Sequence, residues 1–252
     1  MYKIFVTIEF VGKTLFYLPK CHSTNDIAAD LLKQGLIDHG AIVITNHQIA
    51  GRGQRENTWE STKGKNLTFS TMLKPESIQV ENHFYLNLIT SLAITDVLLE
   101  IEDGFRIKWP NDIYYKHQKI GGILIENSVL SGKIISTIIG IGLNINQDKF
   151  SENINAISLF NIVGKEFNLN NIFNKLIQRL DQRWLDLINK KFEQLKLNYH
   201  NRLFWMGENH QFRDHKGIFS GIIDGIDRSG KLIIRNQDGQ RIYDNQEIVF
   251  LK

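Results

Sequence analysis

The sequence predicts an α+β fold that ends in a small all-β module, and three observations carry that expectation. Apolar, β-branched runs recur between residues 41 and 146, at "AIVIT", "NLTFSTML", "KIGGILIENSV" and "IISTIIGIGLNIN", and such runs suit the strands of a buried sheet. Apolar residues at helical spacing form three further groups: Ile27, Leu31 and Leu32; Phe84, Leu88, Leu92 and Leu99; and Phe173 through Leu195 by way of Ile177, Leu180, Trp184 and Leu187. Beyond Gly207 the pattern turns to short strands, "GIFSGIIDGI", "KLIIRN", "RIYD" and "EIVFL", parted by the turn formers "DRSG" and "QDGQ".

Taken in order, residues 1–20 read as two short strands meeting near Gly12-Lys13. Ser23 or Thr24 caps a helix that Gly35 ends. A buried strand over Ala41–Thr45 leads into the polar loop "GRGQRENTW", residues 51–59, and a second strand follows at 66–73. Pro75 opens a loop before the helix from Phe84 to about Glu100. "FRIKWPNDIYY" enters as a strand and turns at Pro110-Asn111-Asp112. Two central strands come next, then amphipathic helix from Ile172 to Phe204 in one or two pieces. Residues 205–252 form a separate barrel of about five strands. Length permits this division, because 252 residues suffice for one large domain plus a small module.

Composition narrows the class. With 42% apolar and 23% charged residues the chain reads as an ordinary soluble globular protein. A net charge of +3 and a pI near 8.8 suit an anionic small molecule, an acidic protein partner or nucleic acid equally. The single cysteine, Cys21, excludes an internal disulfide and a cysteine-based zinc cluster. The N-terminus alternates as a strand does and is no signal peptide, and no run is long and apolar enough for a membrane span, so the cytoplasm is the expected compartment.

Several motifs could carry chemistry. In "GRGQREN", Gly51 and Gly53 let main-chain N–H groups approach a ligand closely. Arg52 and Arg55 offer rigid forks for phosphate or carboxylate, and Trp59 either anchors the loop or stacks on a planar ligand. The same residues also suit a solvated surface loop ending in a core tryptophan. "KWPND" gathers Lys108, Asn111 and Asp112 at a turn of a common kind. Lys119 precedes "IGGILIE", where Gly121-Gly122 clear space for a ligand. "GIGLNIN" sets Gly140, Gly142 and Asn144 in an apolar strand but lacks the third glycine and helix of a dinucleotide fingerprint. No paired-histidine zinc motif, nucleophile elbow or phosphate-binding P-loop occurs. Cys21 beside His22 reads as a buried thiol.

Together and in order, these motifs resemble the biotin–protein ligases: "STND" at 23–26, "Q-x-A-GRGQR" at 48–55, "W-x-S" at 59–61, "KWPND" at 108–112, "K-x-GGILIE" at 119–126 and "GIGLNIN" at 140–146. The resemblance implies a class II synthetase-like catalytic domain over 1–204, with a central mixed sheet flanked by helices, and a small SH3-like barrel over 205–252. It implies two half-reactions, formation of biotinyl-5′-AMP from biotin and ATP with Mg²⁺, then transfer of biotin to one lysine of a carboxylase's biotin carboxyl carrier domain. It assigns Ser23, Thr24 and Asn25 to the biotin ring, Gln48 and Gly122 to further biotin contacts, and Arg52, Gly53 and Gln54 to the loop segment that grips biotin's carboxylate and the phosphate. Lys119 falls at the carboxylate or adenylate linkage. Arg52, Arg55, Trp59, Asn111, Lys119 and Asn144 fall at the nucleotide, and catalysis goes to Arg52, Lys119 and Asp112, with no metal ligand assigned. On this reading the loop orders around the ligand. Gln54 stands where the family commonly has arginine, and Glu56 where it has glycine or a base, so the loop is less positive. Only 22 residues precede "STND", so the monofunctional type, without a DNA-reading domain, is expected, as monomer or homodimer. A lipoate–protein ligase, a biotin sensor that does not transfer, and an adenylating enzyme for another acid are the competing readings.

Overall fold

The computed structural model describes residues 3, 7–55, 57–75 and 78–251. Strand β1 (Thr14–Leu18) and helix α1 (Thr24–Lys33) open the described fold. The first of the two expected N-terminal strands falls largely outside the described residues, and 7–10 are not strand. Ser23 caps α1 by accepting the Asp26 N–H, and Gly35 leaves the helix at φ 70°, a left-handed turn that glycine takes without steric cost.

Strands β2 (Ala41–Thr45), β5 (Leu67–Leu73), β6 (Phe105–Lys108), β7 (Asp112–Tyr115), β8 (Gln118–Leu130) and β9 (Lys133–Leu143) join β1 in one seven-stranded sheet, ordered β1-β2-β5-β9-β8-β7-β6. Only β1–β2 is parallel, so the sheet is mixed. Between β2 and β5, the two-residue strands β3 (Gly51–Arg52) and β4 (Thr58–Trp59) make a separate ribbon. The loop expected to order around the ligand forms this hairpin, closed by Gly53 N–H to Asn57 O at 2.7 Å.

Because strand side chains alternate, the register sorts one face of the sheet into three rows. The first row is Thr45–Thr68–Gly142–Gly122–Asp112; the second is Val43–Ser70–Gly140–Leu124; the third runs Met72–Ile138–Glu126. Helix α1 packs there through Ala28, against Val43, Met72 and Ile138. The glycines of the first two rows leave room beneath its N-terminus.

The opposite face, with Phe69, Ile139, Ile141 and Leu143, belongs to the main core with helices α2 (Phe84–Leu99), α4 (Leu169–Ile188) and α5 (Phe192–His200); a short α3 (Leu159–Val163) precedes these last two. Sequence spacing implies a one-sided α2, yet every residue from Phe84 to Thr95 is buried. Its hydroxyls are absorbed locally: Thr90 donates to Leu86 O at 2.7 Å and Thr95 to Ser91 O at 2.9 Å. Helix α4 holds the N-terminal stretch through buried Asp181, which accepts the Glu9, Phe10 and Val11 N–H groups at 2.7–2.8 Å.

Five antiparallel strands end the chain: β10 (Asn209–Asp214), β11 (Gly217–Ile226), β12 (Leu232–Asn236), β13 (Gly239–Tyr243) and β14 (Val249–Phe250), ordered β13-β12-β11-β10-β14. This sheet shares the main core. Trp205 stacks on His210 at 3.8 Å, and Trp109 Nε1 donates to Gly230 O at 2.8 Å.

Candidate functional site

A cleft of about 600 Å³ opens over the first two rows of the sheet, between the start of α1, the β3–β4 ribbon and the β6–β7 turn. Of the residues expected there, it is lined by Ser23, Thr24, Asn25, Gln48, Arg52, Gly53, Gln54, Trp59, Asn111, Asp112, Lys119 and Gly122. Two are not brought in. Arg55 stands outside the lining at φ 56°. Asn144 is buried at 2% exposure behind the lining, with its Nδ2 on Ile157 O at 3.1 Å and its Oδ1 without a hydrogen-bond partner among the described residues. Glu56, expected to weaken the loop's charge, lies outside the described residues.

The second row forms a polar array. Gln48 Oε1 accepts the Thr24 N–H at 2.8 Å, and Ser70 Oγ lies 2.7 Å from Thr24 Oγ1 and 2.6 Å from Asn25 Oδ1. Ser70 has one proton, so Thr24 donates to Ser70 and Ser70 donates to Asn25. Asn25 Nδ2 donates to Glu126 Oε2 at 2.7 Å. With both amide ends engaged, the orientation of Asn25 is fixed, and Oδ1 keeps one lone pair for a ligand donor. Gly140 lies directly beneath, where a Cβ would collide with that amide.

The first row forms an ionic end. Lys119 Nζ pairs with Asp112 at 2.7 Å, and its ammonium stands 3.3 Å from where a Cβ on Gly122 would be. The Trp59 indole covers Gly142, and its buried Nε1 has no hydrogen-bond partner among the described residues. An orphaned buried donor is costly, so a ligand acceptor placed there would be rewarded. Burial, reinforced by the Asp112 charge, pushes the Tyr114 phenol up to about 12. Tyr114 therefore stays neutral and accepts from Lys108 Nζ at 3.3 Å, while Lys108 also lies over the Phe250 ring at 5.3 Å. Asn111 spends its Nδ2 on Ile123 O at 2.7 Å, shaping the turn.

Arg52 lines the cleft, but its guanidinium reaches the third row, where Nη2 meets Asp26 at 2.6 Å and Glu126 at 2.9 Å. Sequence reasoning passed over Asp26 and Glu126, though both stand inside quoted motifs. It also missed Ser70, a fully buried hydroxyl that nothing in the strand's pattern sets apart from Thr68 and Thr71. Asn245 and Gln246 complete the wall from the β13–β14 turn, with Asn245 Nδ2 donating to Gln54 Oε1 at 2.9 Å; nothing local in the sequence marks them. Cys21 is buried, its thiol pushed up by that burial.

A sheet of this order, capped by a cleft with a polar array at one end and an ionic pair at the other, is the arrangement to set beside known proteins. The model of the biotin/lipoate A/B protein ligase family matches residues 17–144, and the chain belongs to that family. Among its relatives is the bifunctional ligase/repressor BirA of Bacillus spizizenii, 31% identical over 93% of this chain and 74% of that one. The biotin–[acetyl-CoA-carboxylase] ligase of Mycobacterium tuberculosis is 28% identical over 84% of this chain and 80% of its own. Among solved structures, the biotin protein ligase of Aquifex aeolicus in complex with biotin and ATP superposes with a TM-score of 0.80 at 28% identity, covering 95% of this chain and 99% of that one. No helix among the described residues is long and apolar enough to cross a membrane.

Proposed function

We propose that the protein joins biotin to a carrier lysine at the expense of ATP, first as biotinyl-5′-AMP and then as an amide. The observation that carries this reading is the division of one cleft into two chemistries. Thr24, Asn25, Gln48 and Ser70 supply paired donors and acceptors in the second row, as a cyclic urea requires. Lys119 and Asp112 stand one row away, about 7 Å along the strands, where the acid's carboxylate would meet the nucleotide. Glycines floor the path between them.

In the first half-reaction the biotin carboxylate attacks the α-phosphorus and pyrophosphate leaves. The ammonium of Lys119 would stabilise the charge that grows on the phosphoryl oxygens, held in position beforehand by Asp112. In the second, a carrier lysine amine attacks the acyl carbon of the mixed anhydride, AMP departs, and Asp112 is placed to take the amine's proton. The Gly51–Trp59 ribbon would keep water from the anhydride. Among the described residues no three His, Cys, Asp or Glu side chains cluster as a metal cage. The donor set would suit Mg²⁺, with Asp112 and Glu60 the carboxylates among the described lining residues and the ion supplying further charge neutralisation. Residues 1–204 would carry this chemistry in the cytoplasm, with 205–252 as the small module at the cleft's edge. A carboxylase's carrier domain is the acceptor, as the names of the relatives suggest.

Pyrophosphate exchange into ATP, with Mg²⁺ and with biotin or lipoate added separately, tests the reading. Biotin-dependent exchange is expected. Exchange with lipoate alone keeps the chemistry and overturns the assignment of the polar array, since a dithiolane offers it no polar partner; exchange with neither overturns the activity. Lys119→Ala should cut the biotin-dependent rate by about a hundredfold or more while the melting midpoint stays in place.

A further inference from the structure

Arginine in a substrate cleft invites assignment as the anion's grip, and here the register argues otherwise. Glu126 lies four residues beyond Gly122 on β8, so the Arg52 guanidinium sits about 13 Å along the strand from the Lys119–Asp112 end. Among the described residues its ion pairs are made through Nη2, to Asp26 Oδ1 at 2.6 Å and to both Glu126 oxygens at 2.9 Å. Two carboxylates against one guanidinium repel an anion rather than attract it. His22, 3.7 Å from Asp26, is the one other cationic-capable side chain paired into the group among the described residues.

Both partners of Arg52 lead to the same place. Asp26 follows Asn25 in the first turn of α1, and Glu126 accepts from Asn25 Nδ2 at 2.7 Å. Arg52 itself follows Gly51, which lies so close to Gln48 that an added Cβ would stand 2.5 Å from its Nε2. The chain of contacts therefore runs from the ribbon through Arg52 and Glu126 to the amide of Asn25, and through Ser70 to Thr24.

We propose that Asp26, Arg52 and Glu126 form a positioning clasp for the ring end of the cleft. It fixes the Asn25 amide and sets the β3 backbone against Gln48, so that these residues are specificity determinants for the cyclic-urea acid and make no contact with the reacting phosphate. The proposal rests on the biotin reading of the same cleft. It gives Asp26 and Glu126 a role in recognition and moves Arg52 from catalysis to the support of Asn25.

The test is steady-state pyrophosphate exchange by the full chain, varying biotin and ATP separately, for Glu126→Ala, Glu126→Gln, Arg52→Ala and the double Arg52→Ala/Glu126→Ala. The three side chains are 35–42% exposed, so each pair adds little to stability and the variants should fold, with melting midpoints as the control. Glu126→Ala and Arg52→Ala are each expected to raise KM for biotin about tenfold or more, the loss of a charge-assisted hydrogen bond. KM for ATP and kcat should stay within about twofold, because a ring-end defect is remote from the transferring charge. Glu126→Gln, which keeps an acceptor for Asn25, should recover part of the loss, and the double variant should be no worse than the worse single. A hundredfold fall in kcat for Arg52→Ala with KM for biotin unchanged would place Arg52 on the reacting anion and overturn the clasp. An unchanged KM for biotin in Glu126→Ala would overturn it too. Wild-type exchange that ignores biotin is a separate failure, read before any variant, and removes the substrate itself.

Discussion

Gly140 and Gly142 show how single residues set this cleft's dimensions. Neither has a positive φ, so the requirement is space rather than backbone freedom. A Cβ on Gly140 would strike the Asn25 amide, and one on Gly142 would strike the Trp59 indole. The two substitutions should therefore separate the ends of the site. Gly140→Ala is expected to raise KM for biotin and Gly142→Ala to raise KM for ATP by displacing Trp59, each by roughly tenfold for an overpacking cost of about 1–3 kcal/mol. Steady-state kinetics with each substrate varied in turn decides this, and equal effects of both variants on both constants would contradict the division into a ring end and an ionic end.

At the scale of elements, the central strands β2, β5, β8 and β9 are plain in the sequence from their apolar, β-branched runs, whereas β7 is hidden behind the turn at Pro110-Asn111-Asp112; the N-terminus of α1 is plain from Ser23. Most of the cleft lining was legible for a different reason: its residues fall in contiguous motifs. What could not be read was the row in which each residue lands. Glu126 and Arg52 meet across 74 residues, and only register shows that they do so away from Lys119. The spacing of Phe84, Leu88, Leu92 and Leu99 marks one apolar side of α2 and does not show that Thr90, Ser91 and Thr95 are buried too, their hydroxyls bonded one turn back along the helix. The hold of α4 on the N-terminal stretch was equally hidden, since one acidic residue in a helix normally signals solvent. Asp181→Ala would strip three backbone N–H groups of a common acceptor and should cost at least about 2 kcal/mol. Chemical denaturation of the variant is the measurement, and a midpoint equal to wild type would mean that water replaces the carboxylate.

The whole molecule depends on how the terminal β sheet is seated, because its β13–β14 turn carries Asn245 and Gln246 into the cleft wall. Part of that seat is titratable. His200, at the end of α5, accepts the Ile226 N–H on Nε2 at 3.1 Å, and Gly225, at φ 127°, packs so close to the imidazole that a Cβ would stand 2.6 Å from Cε1. Burial first, and then the charge of Lys196, lowers the His200 pKa from its ordinary 6.5. A group whose folded-state pKa is depressed contributes stability that is complete above its unfolded pKa and is lost as pH falls through the folded value. Protonation would also place a hydrogen on the nitrogen that accepts from Ile226. The protein should therefore hold its full melting midpoint above about pH 6.5 and lose stability below it. His39, lowered chiefly by its own burial beside Trp184, adds to the same trend from the other side of the core. His200→Gln keeps an acceptor but cannot titrate, so melting curves at about pH 7.5 and 5.5 should lose part of their separation in that variant. Biotin-dependent exchange at the lower pH should likewise fall less than in wild type, since Asn245 and Gln246 then stay in the wall. If the two proteins melt with the same pH dependence, His200 is not the titrating seat, and the acid sensitivity belongs to other groups, His39 among them.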